Sequence, residues 1–336
     1  MVHPASYTIQ NADGSVQCFL CPHHCRIKEG MRGLCGARKN EGGTLDSLIY
    51  SRISAIAVDP IEKKPLYHYF PGKMILSIGT VGCNLRCQFC QNHHLSRYFE
   101  DTVMEPLNEL TPKEALKAVR QADSFGIAYT YSEPSIWFEY ILDVSRLLKN
   151  EGLKNVWVTN GYIDKEPLEE MLPFMDAANI DLKAFSDKNY LKLGGKLQPV
   201  LDTIRRCYDY GVHIELTTLI VPGMNDELDE LSALVKWIAA IDKTIPFHIS
   251  RYFPHYQYEK PSTDIDLLAQ VSDMAKESLD YVYLGNVMSD SNTYCKVCGN
   301  LQVKRVGYIT ETIGLNTESG TVKCGKCGTQ AKFILE

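Results

Sequence analysis

Residues 74–92 read MILSIGTVGCNLRCQFCQN, and the fold predicted for the whole chain starts from this stretch. The apolar run from Met74 to Ile78 predicts a buried strand. Three cysteines follow it, Cys83, Cys87 and Cys90, in the spacing C-x3-C-x2-C. Cuboidal iron–sulfur clusters usually take four thiolates. This cysteine triplet, with no fourth cysteine nearby, would therefore leave one iron atom open to a ligand that the protein does not supply.

The same triplet has two other interpretations. His93 or His94 could complete a zinc site with these cysteines, or two of the thiols could act as a redox pair. The surrounding chain favours the cluster, because its pattern predicts the parallel α/β scaffold on which such a loop would sit.

The length and charge of the chain exclude several classes of protein. The 336 residues suit one barrel-sized domain with small appendages. The net charge of −6 is spread over interspersed acids and bases, so we expect no nucleic-acid partner. No segment is apolar for long enough to span a membrane, and the first residues lack the plan of a signal peptide. We therefore expect a cytoplasmic protein without membrane contact, whose cysteines serve metals or catalysis rather than disulfides.

Between residues 75 and 286, short apolar runs alternate with amphipathic stretches. The first helical stretch opens with Thr111, Pro112 and Glu114, which predict a capping box with proline in the first turn. This repetition predicts an α/β fold with a parallel βα barrel, full or partial, at residues 75–289. Strands are predicted at 75–80, 127–131, 155–159, 178–183, 212–220, 246–250 and 281–285. Further helices are predicted at 135–150, 165–174, 198–210, 227–241 and 264–279.

In parallel barrels, functional groups lie at the carboxyl ends of the strands and in the loops that follow. Unusual polar residues occur at these positions along most of the predicted strands. One of them alone would be an ordinary turn or cap residue, but a set on one rim indicates a site. The set includes Ser132 and Glu133 after the second strand, Asn160 after the third, Asp181 and Lys183 on the fourth, and His248, Ser250 and Arg251 on the sixth.

The C-terminal quartet of cysteines forms two C-x2-C-Gly pairs, Cys295 with Cys298 and Cys324 with Cys327. Such pairs around a strand-rich insert are typical of a structural zinc ribbon, since the glycine permits the turn in which backbone N–H groups bond to the thiolates. We expect a zinc ribbon at residues 290–336 that serves stability or docking. Iron in place of zinc is the alternative.

The N-terminal quartet of cysteines has the spacing C-x2-C-x3-C-x9-C and consists of Cys18, Cys21, Cys25 and Cys35. This spacing fits neither a pair of zinc knuckles nor the ferredoxin run, so zinc and an auxiliary iron–sulfur cluster both remain open. His23 and His24 are alternative ligands. We expect a metal-held extension at 1–45 and a strand-rich connector at 46–74. The remaining cysteine, Cys207, stands alone on a predicted helix and is interpreted as a core residue.

With the aromatic Phe89 just before its last cysteine, the triplet resembles the signature of the radical S-adenosylmethionine (SAM) superfamily. Most of the chain also resembles one subfamily, the AmmeMemoRadiSam radical SAM proteins, which are related to pyruvate formate-lyase-activating enzyme. The segments that carry this resemblance are 18–25 (CFLCPHHC), 33–38 (GLCGAR), 59–68 (DPIEKKPLYH), 90–92 (CQN), 129–134 (YTYSEP), 159–161 (TNG), 248–252 (HISRY), 283–287 (YLGNV) and the terminal ribbon.

The resemblance implies a 4Fe-4S cluster on the triplet, with SAM bound at its open iron. Val158 stands where the related activating enzymes carry an aspartate. The implied reaction is one-electron cleavage of SAM to methionine and a 5′-deoxyadenosyl radical, which abstracts a hydrogen atom from the substrate. By position in the family's motifs, contacts to SAM are implied for Phe89, Ser132, Glu133, Asn160, Lys183 and His248.

The subfamily's name also implies Memo-type and Amme-type proteins as partners, together with an electron donor such as flavodoxin or ferredoxin. Three functions are then weighed: an enzyme acting on a small-molecule or protein-delivered substrate, an activating enzyme for a glycyl radical enzyme, and a metal-binding scaffold. The complete set of SAM contacts opposes the scaffold. The two cysteine quartets, which minimal activating enzymes lack, favour the first function over the second.

Overall fold

Seven parallel strands and one antiparallel edge strand form the central sheet of the computed structural model, which describes residues 3–100 and 106–336. In chain order, the strands are β1 (His3–Pro4), β2 (Thr8–Gln10), β3 (Val16–Cys18), β4 (Arg26–Ile27), β5 (Arg38–Glu41), β6 (Thr44–Ser47), β7 (Arg52–Ile53), β8 (Ala55–Pro60), β9 (Met74–Gly79), β10 (Asn108–Glu109), β11 (Gly126–Tyr129), β12 (Lys154–Thr159), β13 (Ala177–Asp181), β14 (His213–Ile220), β15 (Phe247–Arg251), β16 (Val282–Gly285), β17 (Thr293–Tyr294), β18 (Leu301–Val306), β19 (Ile309–Thr312), β20 (Leu315–Glu318) and β21 (Thr321–Cys324). The α-helices are α1 (His93–Ser96), α2 (Pro112–Gln121), α3 (Phe138–Asn150), α4 (Lys165–Met171), α5 (Asp187–Lys192), α6 (Leu197–Tyr210), α7 (Leu228–Asp242) and α8 (Ile265–Lys276). Short 3-10 turns lie at Ile61–Lys63, Tyr98–Glu100, Pro134–Trp137 and Leu172–Phe174.

The central sheet has the strand order β16-β15-β14-β13-β12-β11-β9-β8. All of its strands except β8 run parallel to their neighbours, and helices α2, α3, α4, α6, α7 and α8 lie between successive parallel strands. Because β8 and β16 are the two edges, the sheet is an open, partial barrel. The predicted α/β class with parallel βα units is confirmed. No helix in the described part of the chain has the length and apolarity that crossing a membrane requires.

Element boundaries follow local sequence signals. Thr111 caps α2, and the reciprocal bonds between Thr111 and Glu114 make the predicted capping box. Helix α6 ends at Gly211, whose φ of 94° is the left-handed cap that glycine adopts without strain. Helix α5 is absent from the sequence-based prediction. Ser186 caps it, but its six residues are too few to show a helical period.

The N-terminal extension shares the core of the barrel. Strands β1, β6 and β5 form one small sheet, and β2, β3 and β4 form another. Leu20 and Ile27 of this region are buried in the same apolar cluster as Ile136 of the barrel. Arg38 is buried and pairs with the buried Glu139 of α3. Breaking a buried ion pair of this kind is costly, so the pair fixes the extension to the barrel.

The strand-rich connector at 46–74 supplies the edge strand of the central sheet. Strand β8 pairs with β9 over its full length, and Asp59 lies opposite Ile75 near the start of β9. Connector and barrel therefore form one sheet. The boundaries at residues 45, 74 and 289 stay predictions.

The C-terminal region has a small core of its own, formed by Val303, Val322, Ala331 and Phe333. It packs onto the barrel through His68. The Nδ1 atom of His68 lies 2.8 Å from the carbonyl oxygen of Lys332, and its ring stacks on Phe333 with 4.1 Å between centroids. His68, which lies between β8 and β9, therefore connects the C-terminal region to the barrel.

Candidate active site

The cysteine triplet lies in the loop after β9, at the carboxyl end of that strand. Gly82 has a φ of 91°, which permits the turn just before Cys83. All three cysteines line a cavity of about 550 Å³. Polar residues at or just beyond the carboxyl ends of the neighbouring strands line the same cavity, namely Thr130, Ser132, Glu133, Thr159, Asn160, Asp181, Lys183 and Ser250, and Thr217 lines it from the middle of β14.

Hydrogen-bond donors surround the sulfur atoms of the triplet. The backbone N–H of Leu85 lies 3.4 Å from Cys83 Sγ, and the side-chain amide nitrogen of Asn160 lies 3.8 Å from the same atom. The hydroxyl of Ser96 lies 3.4 Å from Cys90 Sγ. Donors placed in this way stabilise thiolate ligands and tune the potential of iron–sulfur clusters.

The raised pKa values of Cys83 and Cys87 fit a role as metal ligands. Burial raises the pKa of Cys83 well above its usual range, and burial raises the pKa of Cys87 to about 11 although the charge of Lys183 opposes the shift. Such thiols stay protonated at neutral pH until a metal ion displaces the proton. They are therefore better ligands than free nucleophiles.

Five of the six residues with implied SAM contacts line the cavity: Phe89, Ser132, Glu133, Asn160 and Lys183. Glu133 holds two strand ends together. Its carboxylate accepts hydrogen bonds from the backbone N–H of Ser135 at 2.8 Å, from Thr159 Oγ1 at 2.6 Å and from the backbone N–H of Asn160 at 2.8 Å. Burial raises the pKa of Glu133, and these hydrogen bonds oppose the rise.

Two further side chains supply what SAM requires. The Oγ atom of Ser132 is buried and has no hydrogen-bond partner among the described residues. Lys183 Nζ lies 3.0 Å from Asp181 Oδ2. Burial alone would lower the pKa of Lys183, but the charge of Asp181 outweighs it and raises the pKa. An unpartnered hydroxyl and a permanent cation beside three thiols fit a ligand with a carboxylate and an ammonium group.

His248 does not belong to the cavity lining. It is buried in β15, with its Nε2 atom 2.7 Å from Oε2 of the buried Glu215. The other carboxylate oxygen of Glu215 accepts from His213 at 3.2 Å and from the backbone N–H of His68 at 2.7 Å. The structure thus places His248 in a buried polar cluster, and its contact with SAM stays a prediction.

A second set of residues in the cavity lining was missed by the sequence analysis. We call it the ionic wall: Asp59, Lys63, Lys64 and Tyr131. Asp59 receives hydrogen bonds from Lys64 Nζ at 2.8 Å, from Lys63 Nζ at 3.1 Å and from the hydroxyl of Tyr131 at 2.8 Å. Burial opposes ionisation, but these bonds hold the pKa of Asp59 well below its usual range. The wall therefore carries charge at neutral pH.

Two further observations concern the ionic wall: the backbone of Tyr131 is strained, and a residue of the ribbon contacts Lys63. Tyr131 has a φ of 72°, which is strained for a residue with a side chain and is common near functional sites. Tyr308, in the turn between β18 and β19, also lines the cavity, and Lys63 Nζ lies 5.4 Å from its ring centroid. The ribbon thus reaches the active-site cavity. The ionic wall could have been predicted from the segment 59–68, which the sequence analysis used only for its family resemblance.

The C-terminal quartet has the geometry of a site for a single metal ion. Cys295 Sγ lies 3.6 Å from Cys327 Sγ, and Cys298 Sγ lies 3.7 Å from Cys324 Sγ. A tetrahedral zinc ion with bonds of about 2.3 Å places its sulfur ligands about 3.8 Å apart. The four thiols can therefore bind one metal ion, and zinc as the metal stays a prediction.

A model of the radical SAM superfamily matches residues 77–236. An uncharacterised protein of Methanocaldococcus jannaschii is 39% identical over 328 residues, which cover 96% of this chain and 97% of that protein. The pyruvate formate-lyase-activating enzyme of Staphylococcus epidermidis is 26% identical over 184 residues, which cover 52% of this chain and 72% of that enzyme. Among solved structures, SuiB of Streptococcus suis with its precursor peptide SuiA matches with a TM-score of 0.49 and 16% identity, over 67% of this chain and 51% of that chain.

Residues 77–236 form a radical SAM domain, and the chain is a radical SAM enzyme. The family implies a 4Fe-4S cluster and SAM, and the matched range contains the cysteine triplet and the five cavity residues with implied SAM contacts. Membership of the AmmeMemoRadiSam subfamily stays a prediction.

Proposed function

We propose that this protein uses SAM, bound at the cysteine triplet, to take a hydrogen atom from a small anionic substrate held at the ionic wall. The observation that carries the proposal is that one cavity of about 550 Å³ contains both the triplet and the ionic wall. A cavity of this volume is in the usual range for small-molecule sites.

The position of the ionic wall leaves room for a substrate beside SAM. Asp59 lies opposite Ile75, near the start of β9, whereas the triplet follows the end of that strand. At about 3.4 Å per residue, the length of β9 corresponds to roughly 17 Å along the sheet. Asp59 and its two lysines therefore line a different part of the cavity from the triplet, and Tyr131, after the end of β11, reaches Asp59 from the side of the triplet.

The charge of the ionic wall favours an anion. Lys63 and Lys64 both pair with the single carboxylate of Asp59, so one positive charge is left over. Lys64 is almost fully buried, whereas Lys63 is 41% exposed and lies at the rim beside Tyr308. A carboxylate or phosphate on the substrate would bind Lys63 by a charge-assisted hydrogen bond.

When bound, the cluster and SAM supply one-electron cleavage of SAM and the 5′-deoxyadenosyl radical that takes hydrogen from the substrate. The chain's own residues bind and orient. Lys183 offers a cation and Ser132 a free hydroxyl, and Asn160 is fixed by its 2.9 Å bond to Asn84. Phe89 packs edge-on against Tyr252, with 6.4 Å between centroids, and covers one side of the cavity with apolar surface that excludes water.

Partners follow from the same proposal. The substrate is taken up free or is presented by a Memo-type or Amme-type protein, and the electron comes from a flavodoxin or ferredoxin. The C-terminal quartet holds zinc, which fits the spacing of its sulfur atoms.

A second candidate is an activating enzyme that takes a hydrogen atom from a glycine of a glycyl radical enzyme. The similarity to the Staphylococcus epidermidis enzyme supports it, as does the 27% identity over 199 residues to the Clostridium pasteurianum pyruvate formate-lyase-activating enzyme. The aligned part leaves out about half of this chain, because the alignments cover 52% and 55% of it.

Deuterium transfer separates the two candidates. Cells of the source organism are grown in heavy water and their extract is divided by ultrafiltration into small molecules and proteins. Each fraction is incubated anaerobically with reconstituted protein, SAM and dithionite. We expect mass spectrometry to find deuterium in 5′-deoxyadenosine from the small-molecule fraction, alone or with a Memo-type or Amme-type protein added. Deuterium from the protein fraction only, with a glycyl doublet in the electron paramagnetic resonance (EPR) spectrum, would establish the activating enzyme instead.

The ionic wall is tested by charge reversal in the same assay. Lys63→Glu should lower deuterium incorporation about tenfold or more, because it replaces the attractive charge by a repulsive one. Lys73→Glu is the matched control, since Lys73 is exposed and lies outside the cavity lining. Equal losses in the two variants would contradict an anion site at the ionic wall.

A further inference from the structure

The four cysteines of the N-terminal quartet converge on one void in the shared core. They line it together with the buried apolar residues Leu20, Ile27 and Ile136 and with Arg38. The Nη1 atom of Arg38 lies 3.8 Å from Cys18 Sγ. Convergence of four thiols on an apolar pocket, with a guanidinium N–H near one of the sulfur atoms, describes a metal site.

The spacing of the sulfur atoms separates this site from the ribbon. Within residues 3–100 and 106–336, the C-terminal quartet is the one group of three or more metal-ligating side chains whose ligand atoms all lie within 4.8 Å of one another. The N-terminal quartet is more widely spaced, and so is the cysteine triplet. A single zinc ion needs sulfur atoms about 3.8 Å apart. A cluster allows wider spacing, because its thiolates bind different iron atoms.

We propose that the N-terminal quartet holds a second iron–sulfur cluster, which passes electrons to the cluster at the cysteine triplet. The electron-transfer role rests on the proposed function. The presence of the second cluster does not, because it is measured without SAM.

Direct contacts connect the two sites. The Nε2 atom of His23, between two ligands of the quartet, lies 2.6 Å from the carbonyl oxygen of Asn84, the residue after Cys83. A methyl group added to Gly82 would lie 2.7 Å from the carbonyl oxygen of Cys35, so the two backbones are in contact there. The loops that carry the two sets of ligands therefore pack against each other.

The electron balance is simple. One electron passes from a reduced flavin- or iron–sulfur-containing donor protein to the N-terminal cluster, and the same electron passes on to the cluster at the triplet. Each transfer oxidises one centre and reduces the next, without a bond change or a proton.

The first test measures metals in a variant that cannot bind the active-site cluster. The triple variant Cys83→Ala/Cys87→Ala/Cys90→Ala, reconstituted anaerobically, should keep about two or four iron atoms per chain, for a [2Fe–2S] or [4Fe–4S] cluster, and an iron–sulfur EPR signal on reduction. Adding Cys21→Ser and Cys25→Ser should remove that iron. A triple variant with no iron and two zinc ions per chain would overturn the proposal.

The second test measures electron transfer. In Cys21→Ser, the ratio of flavodoxin-driven to dithionite-driven SAM cleavage should fall about tenfold or more. Cys207→Ser is the matched control, because Cys207 is buried on α6 away from both sites, and it should leave the ratio unchanged. An unchanged ratio in Cys21→Ser would overturn the electron-transfer role. If the substitution unfolds the protein, EPR redox titration of the wild type decides instead: two iron–sulfur signals that are both reduced by flavodoxin support the proposal, and one signal refutes it.

Discussion

The two cysteine quartets have the same number of ligands but differ in how they relate to the fold. The C-terminal four lie close together in a region whose own core has four buried residues, too few to stabilise it without a metal. The N-terminal four are more widely spaced; Cys18 is buried in the core that the extension shares with the barrel, and the other three are partly buried against it. Their loop contacts the active-site loop through His23 and Asn84. A metal at the C-terminal quartet is thus expected to stabilise a small unit, whereas a metal at the N-terminal quartet would lie where it can affect the chemistry.

The largest effect is expected from a substitution in the cysteine triplet, the site to which the two quartets are compared. Cys87→Ala should lose the active-site cluster and lower the iron content by about four atoms per chain, because the remaining two thiols cannot hold it. The zinc content should not change. Iron and zinc analysis of the variant beside wild type checks this, and simultaneous loss of zinc would show that the ribbon depends on the active site.

Removing the C-terminal metal should affect stability rather than the clusters. Cys295→Ser/Cys298→Ser should lose one zinc ion and lower the melting temperature by roughly 10 °C, since the small core cannot hold the ribbon folded alone. The absorbance of the iron–sulfur clusters should stay largely intact. Calorimetry and visible spectra of the variant beside wild type test both statements. A variant that loses iron but keeps its zinc would contradict the division between the two quartets.

A smaller effect is expected at the joint between ribbon and barrel. Burial lowers the pKa of His68 to about 3 from about 6.5, an effect that the charge of Glu215 only partly offsets. In the neutral ring, Nδ1 donates to the carbonyl oxygen of Lys332 at 2.8 Å and Nε2 accepts from the hydroxyl of Tyr283 at 2.7 Å.

The consequence is loss of stability in acid. Below pH 6.5 the unfolded chain binds a proton at His68 that the folded chain does not, so the free energy of unfolding should fall by up to about 1.4 kcal/mol per pH unit. Urea unfolding of wild type and variant between pH 6.5 and about 5.5, above most of the titration of unfolded carboxylates, measures this slope. His68→Gln should have a flatter dependence. An identical slope in wild type and variant would show that other groups cause the acid sensitivity.

Much of the fold could be predicted because its signals are local. Each parallel strand is a short apolar run, and all seven were predicted within three residues of their observed ends. The five cavity residues with implied SAM contacts were found by their positions in the family's motifs, and all of them except Phe89 also lie just after the end of a strand. The ionic wall was missed because Asp59 and Tyr131 are far apart in sequence and meet only through tertiary folding. The position of His248 depends on the buried Glu215, which lies on a neighbouring strand and has no local signal. The choice of metal at the N-terminal quartet depends on sulfur spacing, which the loop's tertiary contacts set.

The central claim is that the cysteine triplet makes this chain a SAM-cleaving enzyme. The most direct measurement is the amount of 5′-deoxyadenosine and methionine that anaerobically reconstituted protein forms from SAM after reduction with dithionite. The account predicts equal amounts of the two products from wild type and from Cys207→Ser, and none above background from Cys83→Ala, Cys87→Ala or Cys90→Ala. Cleavage at the wild-type rate in all three triplet variants would contradict it.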